Sequence, residues 1–200
     1  MKKHWEKIYS KKADNEVSWF QATPETSLLL VKKYAKSKSD HIIDIGGGNS
    51  SLVNNLAENC YTNLSILDVS KVALDRNKSK NKTNIKIDYI ETNMLNFKND
   101  KKYDIWHDRA AFHFLTDKAD VDLYSQVAFN QMNNNGFLIF STFSLSGPDK
   151  CSGLDISKYG KNEICNVFMD GFELIECFEE VHKTPFNSTQ DFIWTVFQKS

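Results

Sequence analysis

Short apolar runs alternate with longer amphipathic stretches along most of the chain, and this alternation is the first clue to its architecture. His41-Ile42-Ile43-Asp44-Ile45 reads as a buried strand ending on Gly46-Gly47-Gly48. Across residues 50–59 the apolar positions Leu52, Val53, Leu56 and Ala57 recur at helical spacing. Residues 64–67 form a second strand closed by Asp68, and Ser70 is the N-cap of a helix with Val72, Ala73 and Leu74 on or near its inner face. Residues 85–90 alternate apolar and polar, the pattern of a strand near a sheet edge. Residues 103–106 are a fourth strand and 121–132 a helix. Asn133-Asn134-Asn135-Gly136 reads as a turn, because Asn and Gly tolerate positive φ. A fifth strand covers 137–143, a helix 157–168, and two last strands 172–181 and 192–198, separated by Pro185-Phe186-Asn187-Ser188.

Repeated βα units imply right-handed crossovers and a doubly wound, mostly parallel α/β sheet with helices on both faces. Two terminal strands with no helix between them must pair as a hairpin, so the last runs antiparallel. Before the first strand, helical patterns at 3–12 and 24–37 predict an N-terminal helical cover over one end of the sheet. No repeat or linker interrupts the chain, so one domain is expected over 1–200, with 1–40 as the cover and 41–200 as the core.

Composition narrows the function. With 40% hydrophobic residues the chain can build a full core. A net charge of −1 offers no basic field for nucleic acid and no polybasic membrane address. The apolar runs fall far short of the roughly 20 residues that span a bilayer, and the first residues do not lead into a signal peptide, so a cytoplasmic protein is expected. Cys60, Cys165 and Cys177 sit in apolar company and read as reduced core thiols; Cys151 lies in the loop after the fifth strand.

Doubly wound folds bind ligands outside the carboxyl ends of their strands, where strand order reverses. The first strand and its glycines occupy that point, and Gly46, Gly47 and Gly48 let backbone approach a ligand closely. Asp68, closing the second strand, is placed to accept hydrogen bonds from ribose hydroxyls. Loop and acid together indicate a nucleoside cofactor. The dinucleotide fingerprint wants a third glycine where this chain has Ser51, and Asp44 would repel a pyrophosphate but favour an ammonium or sulfonium. Both points favour S-adenosylmethionine (SAM) over NAD, with an NAD-dependent oxidoreductase as the rival enzyme class and a non-catalytic SAM-binding module as the non-enzymatic one.

The chain resembles the class I, seven-stranded SAM-dependent methyltransferases over nearly its whole length. Ile43-Asp44-Ile45-Gly46-Gly47-Gly48 matches the first motif, and Leu67-Asp68-Val69-Ser70 the ribose-binding acid. Tyr103-Asp104-Ile105-Trp106 matches the fourth-strand segment, and Asn134-Asn135-Gly136-Phe137 the entry to the fifth strand. The resemblance implies strand order 3-2-1-4-5-7-6 with strand seven antiparallel, SAM as cofactor and S-adenosylhomocysteine (SAH) as product. It also implies that Glu91-Thr92-Asn93-Met94 surrounds adenine, with Asn93 where many members have Asp.

Trp106-His107-Asp108-Arg109-Ala110-Ala111-Phe112-His113 concentrates two His, an acid and one of the chain's two Arg just past the fourth strand, the position facing the methyl group in the resembled family. The expected catalytic group is His107, Asp108, Arg109 and His113. His107 or His113, oriented by Asp108, would deprotonate the acceptor, and Arg109 would grip an acceptor carboxylate or phosphate in a two-pronged contact. The competing reading is a loop held by an Asp108–Arg109 ion pair. Asp44, Gly46, Gly47, Gly48, Asp68, Val69, Asn93, Met94 and His107 are expected to hold the cofactor. Trp19 either closes over it or anchors the cover to the core. His107, His113, Cys151 and His182 match no zinc spacing, and no metal is expected. The expected acceptor is a small molecule, with a protein side chain second and neither nucleic acid nor membrane as partner.

Overall fold

The computed structural model describes Met1–Ser200. Seven strands form the main sheet: β1 His41–Ile45, β2 Asn63–Asp68, β3 Ile87–Glu91, β4 Tyr103–Arg109, β5 Met132–Phe143, β6 Phe172–Lys183 and β7 Thr189–Lys199. Six helices accompany them: α1 Lys2–Lys11, α2 Glu25–Tyr34, α3 Leu52–Glu58, α4 Lys71–Lys80, α5 Lys118–Gln131 and α6 Lys161–Phe168. The strand order is 3-2-1-4-5-7-6 in this numbering, parallel from β3 to β5, with β7 antiparallel to both its neighbours. This is the expected α/β architecture. Its order reverses between β1 and β4, so both strands open toward one crevice. No helix is long and apolar enough to cross a membrane.

Strand side chains alternate between faces, and the alternation splits the apolar residues into two cores. Ile43, Ile45, Trp106, Leu138 and Phe140 pack with α5 and α6 residues such as Tyr124 and Phe168. Ile42, Ile105, Ile139 and Trp194 pack with Leu30 and Val31 of α2 and with α3. Polar residues at the carboxyl ends inherit the same alternation, which decides where each functional candidate points.

The N-terminal helices cover the crevice through polar tethers to α4. The Glu6 carboxylate accepts hydrogen bonds from Lys71 N–H at 2.8 Å and Val72 N–H at 3.4 Å, amides of the first turn of α4 that have no intrahelical acceptor. Ser70 caps the same helix, its hydroxyl accepting from Ala73 N–H at 3.2 Å. Farther along, Arg76 donates to the Lys12 carbonyl at 2.7 Å, and Lys80 pairs with Asp14 at 2.6 Å.

Four local expectations change. Residues 133–136 belong to β5 rather than to a turn; Asn135 takes φ +59° there, and the register with β4 shifts between Tyr103 and Ile105. The left-handed residue thus makes a bulge in a strand that starts directly after α5. Helix α6 begins at Lys161, because residues 157–160 are held extended by Ser157 N–H to the His113 carbonyl (2.8 Å) and Tyr159 N–H to the Phe143 carbonyl (3.0 Å). The loop after β5 contains a small hairpin, Lys150–Cys151 against Leu154–Asp155. Cys60 is exposed at φ +64°, ending α3 instead of filling the core.

Phe112 is fully buried and meets Phe140, Tyr124 and Tyr159 at ring separations of 4.7, 5.0 and 5.4 Å. Phe112→Ala is expected to lower unfolding stability by about 3–5 kcal/mol. Urea denaturation checks this; a loss under about 1 kcal/mol would contradict the packing described.

Candidate functional site

The glycine loop lies where backbone, carboxylate and cover converge. Gly46 and Gly48 have φ of +61° and +47°, and a Cβ on Gly48 would come 2.6 Å from the Tyr9 hydroxyl and 2.9 Å from Asp68 Oδ2. Only glycine leaves that space open. Asp68 is 6% exposed, and its Oδ1 accepts from Ser70 N–H at 2.8 Å, leaving Oδ2 turned toward the loop. Burial raises its pKa to about 7; the Ser70 N–H opposes the rise, and the nearby Asp44 carboxylate adds to it.

Two neighbouring cavities share Tyr9, Trp19, Gly46 and Arg109 in their walls. Asp68, Val69, Asn93, Met94 and Cys151 line the first. Asp44, Gly47, Ser27, Ser50 and His107 line the second. An aromatic roof closes over the first. Trp5 packs edge-on against Trp19 at 5.8 Å and against Phe114 at 5.0 Å, with Tyr9 at 6.1 Å.

Asp44 and His107 are cross-strand partners on the face covered by α2. His107 Nδ1–H donates to Asp44 Oδ1 at 2.7 Å, Ser50 Oγ donates to Asp44 Oδ2 at 2.9 Å, and His107 Nε2 meets Ser27 Oγ of α2 at 2.9 Å. Both imidazole nitrogens are engaged, and the ring is 2% exposed.

The expected grouping of His107, Asp108, Arg109 and His113 does not assemble. Consecutive strand residues face opposite ways, so Asp108 points away from His107 and from both cavities. It accepts from Tyr124 OH at 2.7 Å and from the Ala111 and Phe112 amides at 3.1 and 3.3 Å. It therefore neither orients His107 nor pairs with Arg109; Asp44 holds His107 instead. His113 lines neither cavity. It is fully buried, stacked on Phe143 at 4.5 Å, and burial together with the Arg109 charge pushes its pKa down to about 3, which makes it a poor base. Arg109 does reach both cavities, its Nη1 donating to the Trp19 carbonyl at 3.1 Å. Asn93 turns its Oδ1 back to Leu95 N–H at 3.0 Å, so its amide N–H groups face outward. Cys151 is a buried thiol whose pKa burial raises to about 11.

The site also contains residues the sequence reading passed over. Trp5 and Tyr9 are four apart on α1 and share one face, a signal that was readable beside Trp19. Ser27 was not readable, because its role comes from α2 packing on β4.

The space left by Gly48, the free Asp68 oxygen and the Asp44 charge fit an adenosyl sulfonium amino acid. Residues 42–132, which include the loop, Asp68 and β4, match a family described as a methyltransferase domain. Residues 42–132 thus carry a SAM-dependent methyltransferase domain. The match sets aside the NAD-dependent reading. Solved structures share the fold. The Bradyrhizobium japonicum N-methyltransferase NodS in complex with SAH has a TM-score of 0.73 at 15% identity, covering 97% of each chain. A SAM-dependent methyltransferase from Anabaena variabilis has a TM-score of 0.77 at 16% identity, covering 100% of this chain and 95% of that one. A structure concerned with conversion of a disulfide bond into a thioacetal group during echinomycin biosynthesis has a TM-score of 0.80 at 14% identity, covering 100% and 93%. No curated protein sequence matches the chain.

Asp68 makes the methyltransferase pH-sensitive. Between its unfolded value of 3.8 and its folded value near 7, the native state holds a proton that the unfolded state has released. This contribution therefore weakens stability as pH rises from about 4 to about 7. Asp68→Asn removes it, so the variant is expected to gain on the wild type across that window and hold level above it. Urea midpoints at stepped pH check this; a constant difference from pH 4 to 7 would contradict it.

Proposed function

We propose that this methyltransferase acts on a small-molecule acceptor, with residues 1–40 serving as a cover on the 41–200 core. The observation that carries this reading is the roof. Trp5, Tyr9 and Trp19 roof the cavity bounded by Asp68 and Arg109, leaving a partly covered, mostly apolar pocket of a size suited to a small molecule.

Bound SAM supplies an electrophilic methyl group on a sulfonium. Asp68 and the loop around Val69, Asn93 and Met94 would hold the adenosine end, and Gly46, Gly47 and Ser50 would border the amino-acid end. The Asp44 carboxylate favours positive charge beside it, and His107 acts by fixing that carboxylate between Ser27 and the loop. Methyl transfer is an in-line displacement, so alignment of acceptor and methyl group supplies most of the acceleration. With His107 engaged at both nitrogens and His113 neutral, the acceptor arrives with its lone pair already free. Cys151 stays a thiol in the cavity wall, and Phe114 and Trp19 exclude water.

The test is to supply SAM carrying a tritiated methyl group with a cell extract and then separate small molecules from protein by filtration. Label is expected in low-mass compounds other than SAM once the donor is removed chromatographically, above an extract lacking the protein. Label confined to protein would overturn the reading in favour of a side-chain acceptor.

A further inference from the structure

Arg109 is a half-buried cation with no anion against it. Nη1 is spent on the Trp19 carbonyl, while Nε and Nη2 are buried without any hydrogen-bond partner. The two carboxylates whose charge reaches it are committed elsewhere. Glu180 accepts from the Trp194 indole N–H at 2.7 Å and from the Thr26 hydroxyl; Asp44 is held by His107 and Ser50. Unpaired charged N–H groups are the costliest to bury, so their retention in a cavity wall points to a ligand.

The free pair has a shape. Nε–H and Nη2–H project in parallel from one edge of the planar guanidinium, the edge that meets both oxygens of a single carboxylate. The guanidinium stands between the two halves of the crevice, sharing both cavities with Gly46 on one side and packing toward β7 on the other. The guanidinium carbon lies 5.2 Å from the ring centroid of Phe192 in β7, which β4 and β5 separate from the β1 loop. The cofactor groups, Gly46 to Gly48 and Asp68, belong to the β1–β2 half. Ser141, in register with Arg109 on β5, also has a buried hydroxyl without a partner. His113 is neutral beside it, so the guanidinium is the charge this subsite offers to an anion.

We propose that the acceptor is a monocarboxylate with an apolar body, and that its carboxylate docks on the Nε/Nη2 edge of Arg109 while its nucleophile faces the methyl group beneath the roof. The assignment rests on the small-molecule reading above and names its substrate class.

The experiment measures binding to the SAH complex by calorimetry for acetate, benzoate and phenylacetate, each against its amide, with inorganic phosphate as a further probe. At least one acid is expected to bind about tenfold or more tightly than its amide. Arg109→Lys and Arg109→Met are expected to erase that preference while SAH affinity stays within about twofold. No preference for any acid, or phosphate binding more tightly than every acid, would overturn the proposal. A parallel loss of SAH affinity in both variants would overturn it too, by assigning the edge to the cofactor's own carboxylate. Should the variants fail to fold, the wild-type acid, amide and phosphate comparison still decides. Because binding is the readout, failure here leaves the small-molecule reading to be judged by where the methyl label goes.

Discussion

A carboxylate buried at the end of the first strand must be satisfied by donors, and Asp44 organises the crevice through the donors it takes. One oxygen accepts from Ser50, which draws in the turn after the glycines; the other accepts from His107 on β4. His107 reaches in turn to Ser27 on α2, so the N-terminal cover, the central strands and the cofactor loop form one hydrogen-bonded unit. Removing a donor would leave a desolvated charge unpaired, the kind of change that cores tolerate least. The negative charge at the mouth of β1 would also favour a positively charged group beside it.

Strand periodicity then divides labour among four consecutive residues. Trp106 and Asp108 turn toward α5, where the Asp108 carboxylate and the Trp106 indole both meet Tyr124. His107 and Arg109 turn toward α2 and the cavities. The first pair secures a packed layer, and the second fixes the loop carboxylate and presents a guanidinium. A cluster that looks like one catalytic constellation in the sequence is two separate constellations back to back, with the sheet between them.

The fold was legible because its signals are local. Apolar runs followed by helical spacing marked β1 to β5, and two strands without an intervening helix marked the reversed β7. The meeting of Gly46, Gly47, Gly48 and Asp68 at one crevice was legible for the same reason: they are strand-end residues whose positions follow from the strands themselves. What escaped were features that depend on long-range packing. Asp108 was misassigned because seven-residue proximity was read as spatial proximity, against the two-residue period of an extended strand. Ser27 and Tyr9 enter the site only when α1 and α2 dock, and α1 docks through Glu6 at the start of α4, 65 positions away in sequence. The Asn-rich stretch before Phe137 carries a left-handed residue as expected, but α5 runs straight into β5 and converts the turn into a bulge.

The central claim is that the Asp68 carboxylate and the glycine loop form the nucleoside end of a SAM site. Calorimetric binding of SAH to the wild type and to Asp68→Ala, with NADH as the control ligand, tests it most directly. The account predicts binding of SAH, none of NADH, and a loss in the variant of about 1–3 kcal/mol, roughly 5- to 150-fold in affinity. Equal SAH affinity in both proteins, or binding of NADH in place of SAH, would contradict it.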